Sequence, residues 1–324
     1  ARARALLGHW LYANGRPDDA CAAWNAAAAL DPDDPVVWRN LGLAAFNHLG
    51  DADQACAAYD SALAVAPEDA RLIFERDQLD ARRGVPPGQR LDRLLRVRAL
   101  VETRDDATIE LAHLLLSAGR LDEARELLLS RTFQPWEGGE GEVLRVWDRL
   151  CRLRSTVDEA LNPPRSLSEA RHPLANTAQL HLLRGDLMED RASWELAAAQ
   201  QGDFLGMSAQ PHSEATFSSV LALRRLGRTD EAARLAEALR AFCDELEASP
   251  ATVDYFATSL PSMLLFTEDL AAAQRRRAGF LRAQLDILDW QYGRAGDRLA
   301  AVLAEDPHHV DALDLARSIR TSTR

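Results

Sequence analysis

The chain has 324 residues, of which 47% are hydrophobic and 27% charged, so it can bury a large core but exceeds the usual size of one compact globule. Its formal net charge of −12 argues against a nucleic acid partner, because proteins that bind polyphosphate do so with excess positive charge. All basic residues are arginines, which excludes chemistry based on a Schiff-base lysine or a P-loop lysine.

A run of residues near the N-terminus recurs about 35 positions later with its chemistry intact. Gly15, Ala20, Trp24, Ala27 and Pro32 are matched by Gly50, Ala55, Tyr59, Ala62 and Pro67. This period predicts a repeated helical hairpin of about 34 residues. Gly8 and Gly42 lack a Cβ atom, so the second helix of each hairpin can approach the first closely. Trp24 and Tyr59 are expected to fill the space between one hairpin and the next.

The repeat continues less regularly along the chain. Residues 69–83 and 89–103 predict a third helix pair, and Leu111, Leu115, Gly119, Ala124 and Leu128 predict a fourth. We therefore expect four hairpins over 1–130 and an irregular connector over 131–175 that holds a glycine-rich loop and one helix near 143–160. Further hairpins and a cap helix are expected over 176–324, with Gly185 in a turn. No strand pair is evident.

The second copy resembles the tetratricopeptide repeat. It carries the characteristic residues of that pattern at Trp38, Leu41, Gly42, Ala55, Tyr59 and Pro67. The resemblance implies an all-α fold, a right-handed α-solenoid of antiparallel hairpins, and a non-catalytic scaffold for protein interactions.

A second resemblance covers nearly the whole chain. The segments 71–79, 133–141 and 254–261 are similar to motifs in the C-terminal half of an uncharacterised bacterial family. Members of that family join an N-terminal β-rich domain, similar to sugar-processing folds, to a tetratricopeptide array. The resemblance implies that this chain is a fragment of a longer bacterial protein. It also implies an alternative function, an accessory carbohydrate-handling module for a β-rich domain that would be absent here.

The first helices of successive hairpins are predicted to form a concave face that binds a peptide or a partner domain, with the missing β-rich domain as one candidate. In the second repeat this face would expose a mixture of hydrogen-bonding and apolar side chains, which suits an extended peptide. The predicted binding residues are Arg39, Asn40, Leu43, Phe46 and Asn47, with Arg71 on the third repeat and His181 on a later one.

One form of tetratricopeptide groove, the clamp that binds a C-terminal carboxylate, can be excluded for this face. The positions that carry the clamp hold Ala5, His9, Asn40, Arg71 and Glu75. Asn40 matches the clamp, and Arg71 matches it by charge. Glu75 would repel a carboxylate.

The glycine-rich loop near 131–142 has two interpretations. Trp136 could stack on a sugar or aromatic group while Glu137 or Glu140 accepts hydrogen bonds. Alternatively, the loop connects two repeats, with Trp136 sealing the core and the glutamates capping the next helix. Nothing in the sequence separates the pKa values of the two glutamates, so it does not predict an acid and base pair.

The remaining chemistry-bearing residues indicate neither an enzyme nor a bound cofactor or metal. The eight histidines show no metal-binding spacing, and the serines show no nucleophile motif. The four cysteines, without paired spacing, indicate small apolar fillers in a reducing cytoplasm. No apolar run approaches the ~20 residues of a membrane span, so a membrane partner is not expected.

Overall fold

The computed structural model describes residues 1–134, 141–167, 171–200, 202–205, 208–251 and 265–322. These residues form eighteen α-helices, one 3-10 turn and one pair of short strands, which confirms the predicted all-α fold class. By its contacts the chain divides into two compact units. The first comprises Ala1–Leu114 with Leu264–Glu268, and the second comprises Leu115–Met263 with Asp269–Arg324. The predicted division at residues 130 and 175 follows repeat register, which this partition does not test.

The helices of the first unit follow one another in the order expected from the predicted hairpins. They are α1 (Arg2–Ala13), α2 (Pro17–Ala28), α3 (Pro35–Asn47), α4 (Ala52–Val65), α5 (Ala70–Arg82), α6 (Pro87–Arg96) and α7 (Arg98–Val101), followed by α8 (Asp105–Ser117), which passes the division between the units after Leu114. The predicted helix over 89–103 is two helices, since the backbone leaves helical geometry at Val97 with φ −120° and ψ 29°.

Short-range chemistry sets where these helices begin. Asp34 accepts hydrogen bonds from the backbone N–H groups of Val36 and Val37, and Asp69 caps α5 in the same way. The turns inside the first two hairpins need a left-handed residue, and Gly15 (φ +70°) and Gly50 (φ +65°) supply it. The chain therefore reverses its direction at Gly15 and at Gly50.

An aromatic ring of the second helix lies directly on a glycine of the first in three hairpins. A Cβ atom on Gly42 would come within 2.6 Å of the Tyr59 ring, and one on Gly8 would overlap Trp24. These rings were expected to pack between hairpins. In the structure they also pack against the glycine inside their own hairpin. Trp24 donates its indole N–H to the carbonyl oxygen of Ala5 at 3.2 Å, which ties the two helices together.

The second unit continues from the end of α8. Its helices are α9 (Leu121–Leu129), α10 (Glu142–Arg154), α11 (Val157–Leu161), α12 (Ala178–Met188), α13 (Arg191–Ala199), α14 (Thr216–Arg225), α15 (Thr229–Ala248), α16 (Leu270–Leu288), α17 (Tyr292–Glu305) and α18 (Val310–Ser322), with the 3-10 turn at Arg165–Leu167. Successive helices from α12 to α18 contact one another in chain order.

The second unit corrects three expectations. A strand pair does exist, because β1 (Asp203–Leu205) pairs antiparallel with β2 (Ser208–Gln210). The helix expected near 143–160 is interrupted at Ser155, which adopts φ +59° between α10 and α11. Gly185 lies inside α12 and not in a turn, and it packs beneath Trp194 as Gly8 does beneath Trp24.

A buried ion pair joins distant helices within the second unit. Arg149 on α10 is 1% exposed, and its Nε and Nη2 atoms donate to the two carboxylate oxygens of Asp314 on α18 at 2.9 and 3.0 Å. Arg317 also donates to the backbone carbonyl of Ser117 at 2.8 Å. The last helix of the unit thus contacts its first residues through charged groups.

The glycine and aromatic contacts give a direct stability prediction. We expect Gly42→Ala and Gly185→Ala each to destabilise the protein by about 1–3 kcal/mol, because the added methyl group would overlap the ring of Tyr59 or of Trp194. Gly296→Ala in α17 is the matched control, since a Cβ atom there meets no atom within 4 Å. The control should gain about 0.5–1 kcal/mol from helix propensity. Thermal denaturation followed by circular dichroism measures all three, and equal melting temperatures for Gly42→Ala and Gly296→Ala would contradict the packing described.

The buried ion pair predicts an asymmetry between its two partners. Asp314→Ala should cost about 3–5 kcal/mol of unfolding free energy, because it leaves the buried guanidinium of Arg149 without its main partner. Arg149→Met should cost clearly less, because it removes the buried charge and leaves Asp314 partly in solvent. Asp297→Ala, at an exposed position of α17, is the control and should change little. Urea denaturation measures the three free energies. An Arg149→Met variant less stable than Asp314→Ala would refute this explanation.

Candidate functional site

One surface of the first unit collects most of the residues predicted to bind a partner. It is formed by α3 and α5, and we call it the α3–α5 face. Its polar and apolar members are Arg39, Asn40, Leu43, Phe46 and Asn47 of α3, with Arg71, Glu75 and Arg82 of α5. Spacings of three and four residues place the α3 members on adjoining strips of one helix.

The charged end of the α3–α5 face is organised around Glu75, which is 2% exposed. Its carboxylate accepts hydrogen bonds from Arg39 Nε at 2.6 Å, from Arg71 Nε at 2.7 Å and from the Tyr59 hydroxyl at 2.7 Å. Burial, together with the charge of Glu75, raises the pKa of Tyr59, so this phenol stays protonated and remains a donor. Both arginines are therefore already paired with a carboxylate of the chain.

Asn40 corrects the expectation that the predicted residues are exposed. It is 9% exposed, and its side-chain amide nitrogen lies 2.5 Å from Nε2 of His9 on α1. Arg39 is largely covered by its pairing with Glu75, and Leu43, Phe46 and Asn47 are half-buried. Sequence periodicity identifies the helix face but not the groups that cover it.

The apolar end of the face holds a segment of the chain that is distant in sequence. Residues Leu265–Glu268, which we call the docked segment, belong to the first unit by their contacts. Phe266 is 2% exposed and lies in an apolar cluster whose buried members are Ala45, Ala55, Cys56, Tyr59, Ala62, Leu72 and Leu79. Its ring meets Phe46 edge to face with centroids 5.1 Å apart.

Asn47 holds the backbone on both sides of Phe266. Its Nδ2 atom donates to the carbonyl oxygen of Leu265 at 3.0 Å, and its Oδ1 atom accepts from the N–H of Thr267 at 2.8 Å. One side-chain amide thus satisfies both a backbone acceptor and a backbone donor. Because the segment contributes only main-chain atoms to these two bonds, Asn47 can hold its backbone whatever its side chains are.

Arg82 completes the pocket around Phe266. Its guanidinium carbon lies 5.1 Å from the centroid of the Phe266 ring, within the range of a cation–π contact. Burial lowers the pKa of Arg82, and the neighbouring carboxylates of Glu268 and Glu110 oppose that effect. An acidic group beside Arg82 therefore stabilises its charged form.

The other predicted site residues belong to neither α3 nor α5. Trp136, Glu137 and Glu140 lie outside the described residues. His181 is on α12 in the second unit, and its buried Nδ1 atom has no hydrogen-bond partner among the residues that the structure describes. Burial, assisted by Arg184 and Arg171, lowers the pKa of His181, which keeps the imidazole neutral near pH 7.

Sequence reasoning missed Phe266, Arg82 and the second role of Tyr59. The available signal is weak. Leu265 and Phe266 form an apolar pair just before Asp269, whose side chain caps α16 by accepting from the N–H of Ala272 at 2.9 Å. Such a pair usually indicates packing of a helix entry, and nothing in the order of residues connects it to α3.

Reactive groups elsewhere in the described structure are few. All four cysteines are free thiols, and burial raises the pKa of Cys151 and of Cys243 to about 11, which makes them poor nucleophiles near pH 7. Across the described ranges, no cluster of three or more His, Cys, Asp or Glu side chains could hold a metal ion. Each helix in the described part of the chain is too short or too polar to cross a bilayer.

Comparison with protein families identifies the repeats. Residues 1–44 and 38–69 each match a family model described as a tetratricopeptide repeat. The first two hairpins therefore match the tetratricopeptide repeat. This agrees with the repeat residues noted in the sequence and indicates a protein-interaction scaffold.

Solved structures of such repeats resemble the chain only loosely. A tetratricopeptide repeat protein from Parabacteroides merdae has 12% identity and a TM-score of 0.49, with 98% of each chain covered. Yeast Tom70 has 15% identity and a TM-score of 0.32, with 99% of this chain and 68% of that one covered. Similarities this distant add nothing to the description of the α3–α5 face.

The bond between Tyr59 and Glu75 predicts a stability effect that can be separated from ring packing. Tyr59→Phe keeps the ring on Gly42 and removes the donor to a buried carboxylate, so we expect a loss of about 1.5–3 kcal/mol. Tyr12→Phe, at a more exposed tyrosine of α1, is the control and should be nearly neutral. Chemical denaturation at pH 7 measures both.

The same pair of proteins gives a pH test with a defined sign. The folded-state pKa of Tyr59 is raised, so the stability that its neutral form contributes is present below the ordinary phenol pKa of about 10 and lost as the pH rises above it. The difference between wild type and Tyr59→Phe should therefore shrink above about pH 10. A difference that widens there would contradict the buried, neutral phenol.

Proposed function

We propose that this chain is a protein-interaction scaffold that binds an extended segment of a partner protein on the α3–α5 face of its first unit. The observation that supports this most strongly is the contact between Asn47 and the backbone of Leu265 and Thr267. A side chain that bonds to the carbonyl and the N–H on either side of one residue is suited to hold a peptide through its backbone. The pocket beside it adds selectivity for one large apolar side chain.

The contacts at the charged end of the face favour a peptide that binds through its backbone. They disfavour one that binds through its C-terminal carboxylate. Arg39 and Arg71 form ion pairs with Glu75. Because Glu75 is buried, water does not compete for its carboxylate. A terminal carboxylate would have to compete with this pairing. The apolar end, with Asn47, Phe46 and Arg82, offers the contacts that an internal peptide segment can use.

The carbohydrate-handling alternative is supported by no described contact. It depends on Trp136, Glu137 and Glu140, which lie outside the described residues, and on a β-rich domain that the comparisons do not show. A β-rich domain of the same protein remains one candidate source of the peptide that the α3–α5 face would bind. His181, in the second unit, stays a predicted contact of a separate surface.

Binding of a synthetic peptide tests the proposal. Because Phe266 itself fills the pocket, the test uses the full chain with Phe266→Ala and the capped peptide Leu-Phe-Thr-Glu-Asp-Leu, which has the sequence of residues 265–270. We expect saturable binding in isothermal titration calorimetry. Adding Asn47→Ala should weaken it about tenfold or more, because two hydrogen bonds of about 0.5–1.5 kcal/mol each are lost.

The matched control is Asn25→Ala in the same Phe266→Ala background. Asn25 is an exposed asparagine on α2, so its loss should leave peptide affinity unchanged. An oligosaccharide titration of the same proteins tests the alternative function. Peptide binding that is indifferent to Asn47→Ala, or absent altogether, would refute the proposed function.

A further inference from the structure

The docked segment is held in the way that a bound peptide is held. The chain leaves the first unit after Leu114, and Leu265–Glu268 is grouped with that unit, while Asp269 onward belongs to the second. Within the segment only Phe266 is buried, whereas Thr267 and Glu268 are exposed. Contact is thus concentrated in one aromatic side chain and the two peptide groups that flank it.

The pocket is specific for an aromatic ring. Phe46 approaches the Phe266 ring edge to face, Tyr59 lies with its centroid 6.1 Å away, and Arg82 stacks over the ring. An aliphatic side chain could fill the volume, but it would lose the edge-to-face and cation–π contacts, both of which stabilise a ring beyond the burial of its area.

The residues on either side of Phe266 differ in their burial. Glu268, two positions after Phe266, is exposed, and its charge opposes the lowering of the Arg82 pKa by burial. Leu265 adds a partly buried apolar side chain before the aromatic residue.

We propose that the docked segment is a tethered competitor of the partner, and that the partner carries the same feature: an aromatic side chain whose flanking carbonyl and N–H groups are free to bond with Asn47. This inference rests on the proposed function, since it concerns the occupant of the same face. A partner would bind by replacing Leu265–Glu268, and its Phe, Tyr or Trp would enter the pocket that Phe266 leaves.

The expected strength of the competition follows from the tether. A segment joined to its site by the chain has an effective concentration on the order of 1 mM. If the same segment binds from solution with a dissociation constant of roughly 10–100 μM, the tethered copy lowers the apparent affinity of a partner about 10–100-fold.

The test compares the unmodified full chain with variants of the docked segment, using the fluorescein-labelled peptide Leu-Phe-Thr-Glu-Asp-Leu and fluorescence anisotropy. We expect Phe266→Ala to bind this peptide about 10–100-fold more tightly than wild type. Thr267→Pro, which keeps the ring but removes the N–H that Asn47 accepts, should shift the affinity in the same direction. Thr267→Ala keeps that N–H and should match wild type.

A peptide variant tests the need for the aromatic side chain. Replacing the peptide's Phe with Ala should abolish binding to the Phe266→Ala protein. Circular dichroism shows whether Phe266→Ala retains its helices. If it does not, Thr267→Pro carries the comparison, and added peptide should raise the melting temperature of either folded variant.

The two proposals fail in different ways. Equal peptide affinity in wild type, Phe266→Ala and Thr267→Pro would overturn the tethered competitor and leave the binding face intact. Undiminished binding of the peptide in which Ala replaces Phe would overturn the requirement for an aromatic side chain. Absence of peptide binding in wild type and in every folded variant would overturn the proposed function itself.

Discussion

The packing of Tyr59 is the interaction on which the first unit and its candidate site both depend. Its ring occupies the space over Gly42, which fixes how closely α3 and α4 approach. Its hydroxyl donates to the buried carboxylate of Glu75, and its ring borders the pocket that holds Phe266. Tyr59 is therefore both a characteristic aromatic residue of the repeat and part of the lining of the Phe266 pocket.

This arrangement divides the α3–α5 face into two ends with different properties. At one end, the Glu75 carboxylate accepts hydrogen bonds from Arg39, Arg71 and Tyr59. The charges of these two arginines are therefore neutralised within the chain. At the other end, Asn47 directs an amide donor and acceptor toward the docked segment. Recognition of a partner is thus expected at the apolar end, where the groups that now meet Leu265–Glu268 could meet a different peptide.

The sequence predicts the repeat fold well because each hairpin is encoded by neighbouring residues. The turn at Gly15, the cap at Asp34 and the glycine beneath Trp24 all act within one or two helices, so a period of about 35 residues reveals them. The same reasoning does not predict the strands Asp203–Leu205 and Ser208–Gln210 or the break at Ser155. Each is a local departure from the repeat, with no periodic signal of its own.

The candidate site is less predictable, because its contacts join residues that are far apart in the chain. Periodicity places Asn47 and Phe46 on a shared face with Arg39 and Asn40. It cannot show that Glu75 neutralises Arg39, or that Asn40 turns toward His9. The contact of Asn47 with Leu265 spans 218 positions and follows from tertiary structure alone. The contribution of Trp136, Glu137 and Glu140 remains a sequence-based prediction.

The exchange of the docked segment for a partner peptide is the central claim, and hydrogen–deuterium exchange at Thr267 tests it most directly. In the free protein the Thr267 N–H is bonded to Asn47 Oδ1 and should exchange slowly. When a peptide that carries the aromatic side chain saturates the chain, residues 265–268 are predicted to lose this protection while α3 and α4 keep theirs. Unchanged protection of Thr267 in the peptide-saturated protein would show that the partner does not replace the docked segment, and would contradict the account.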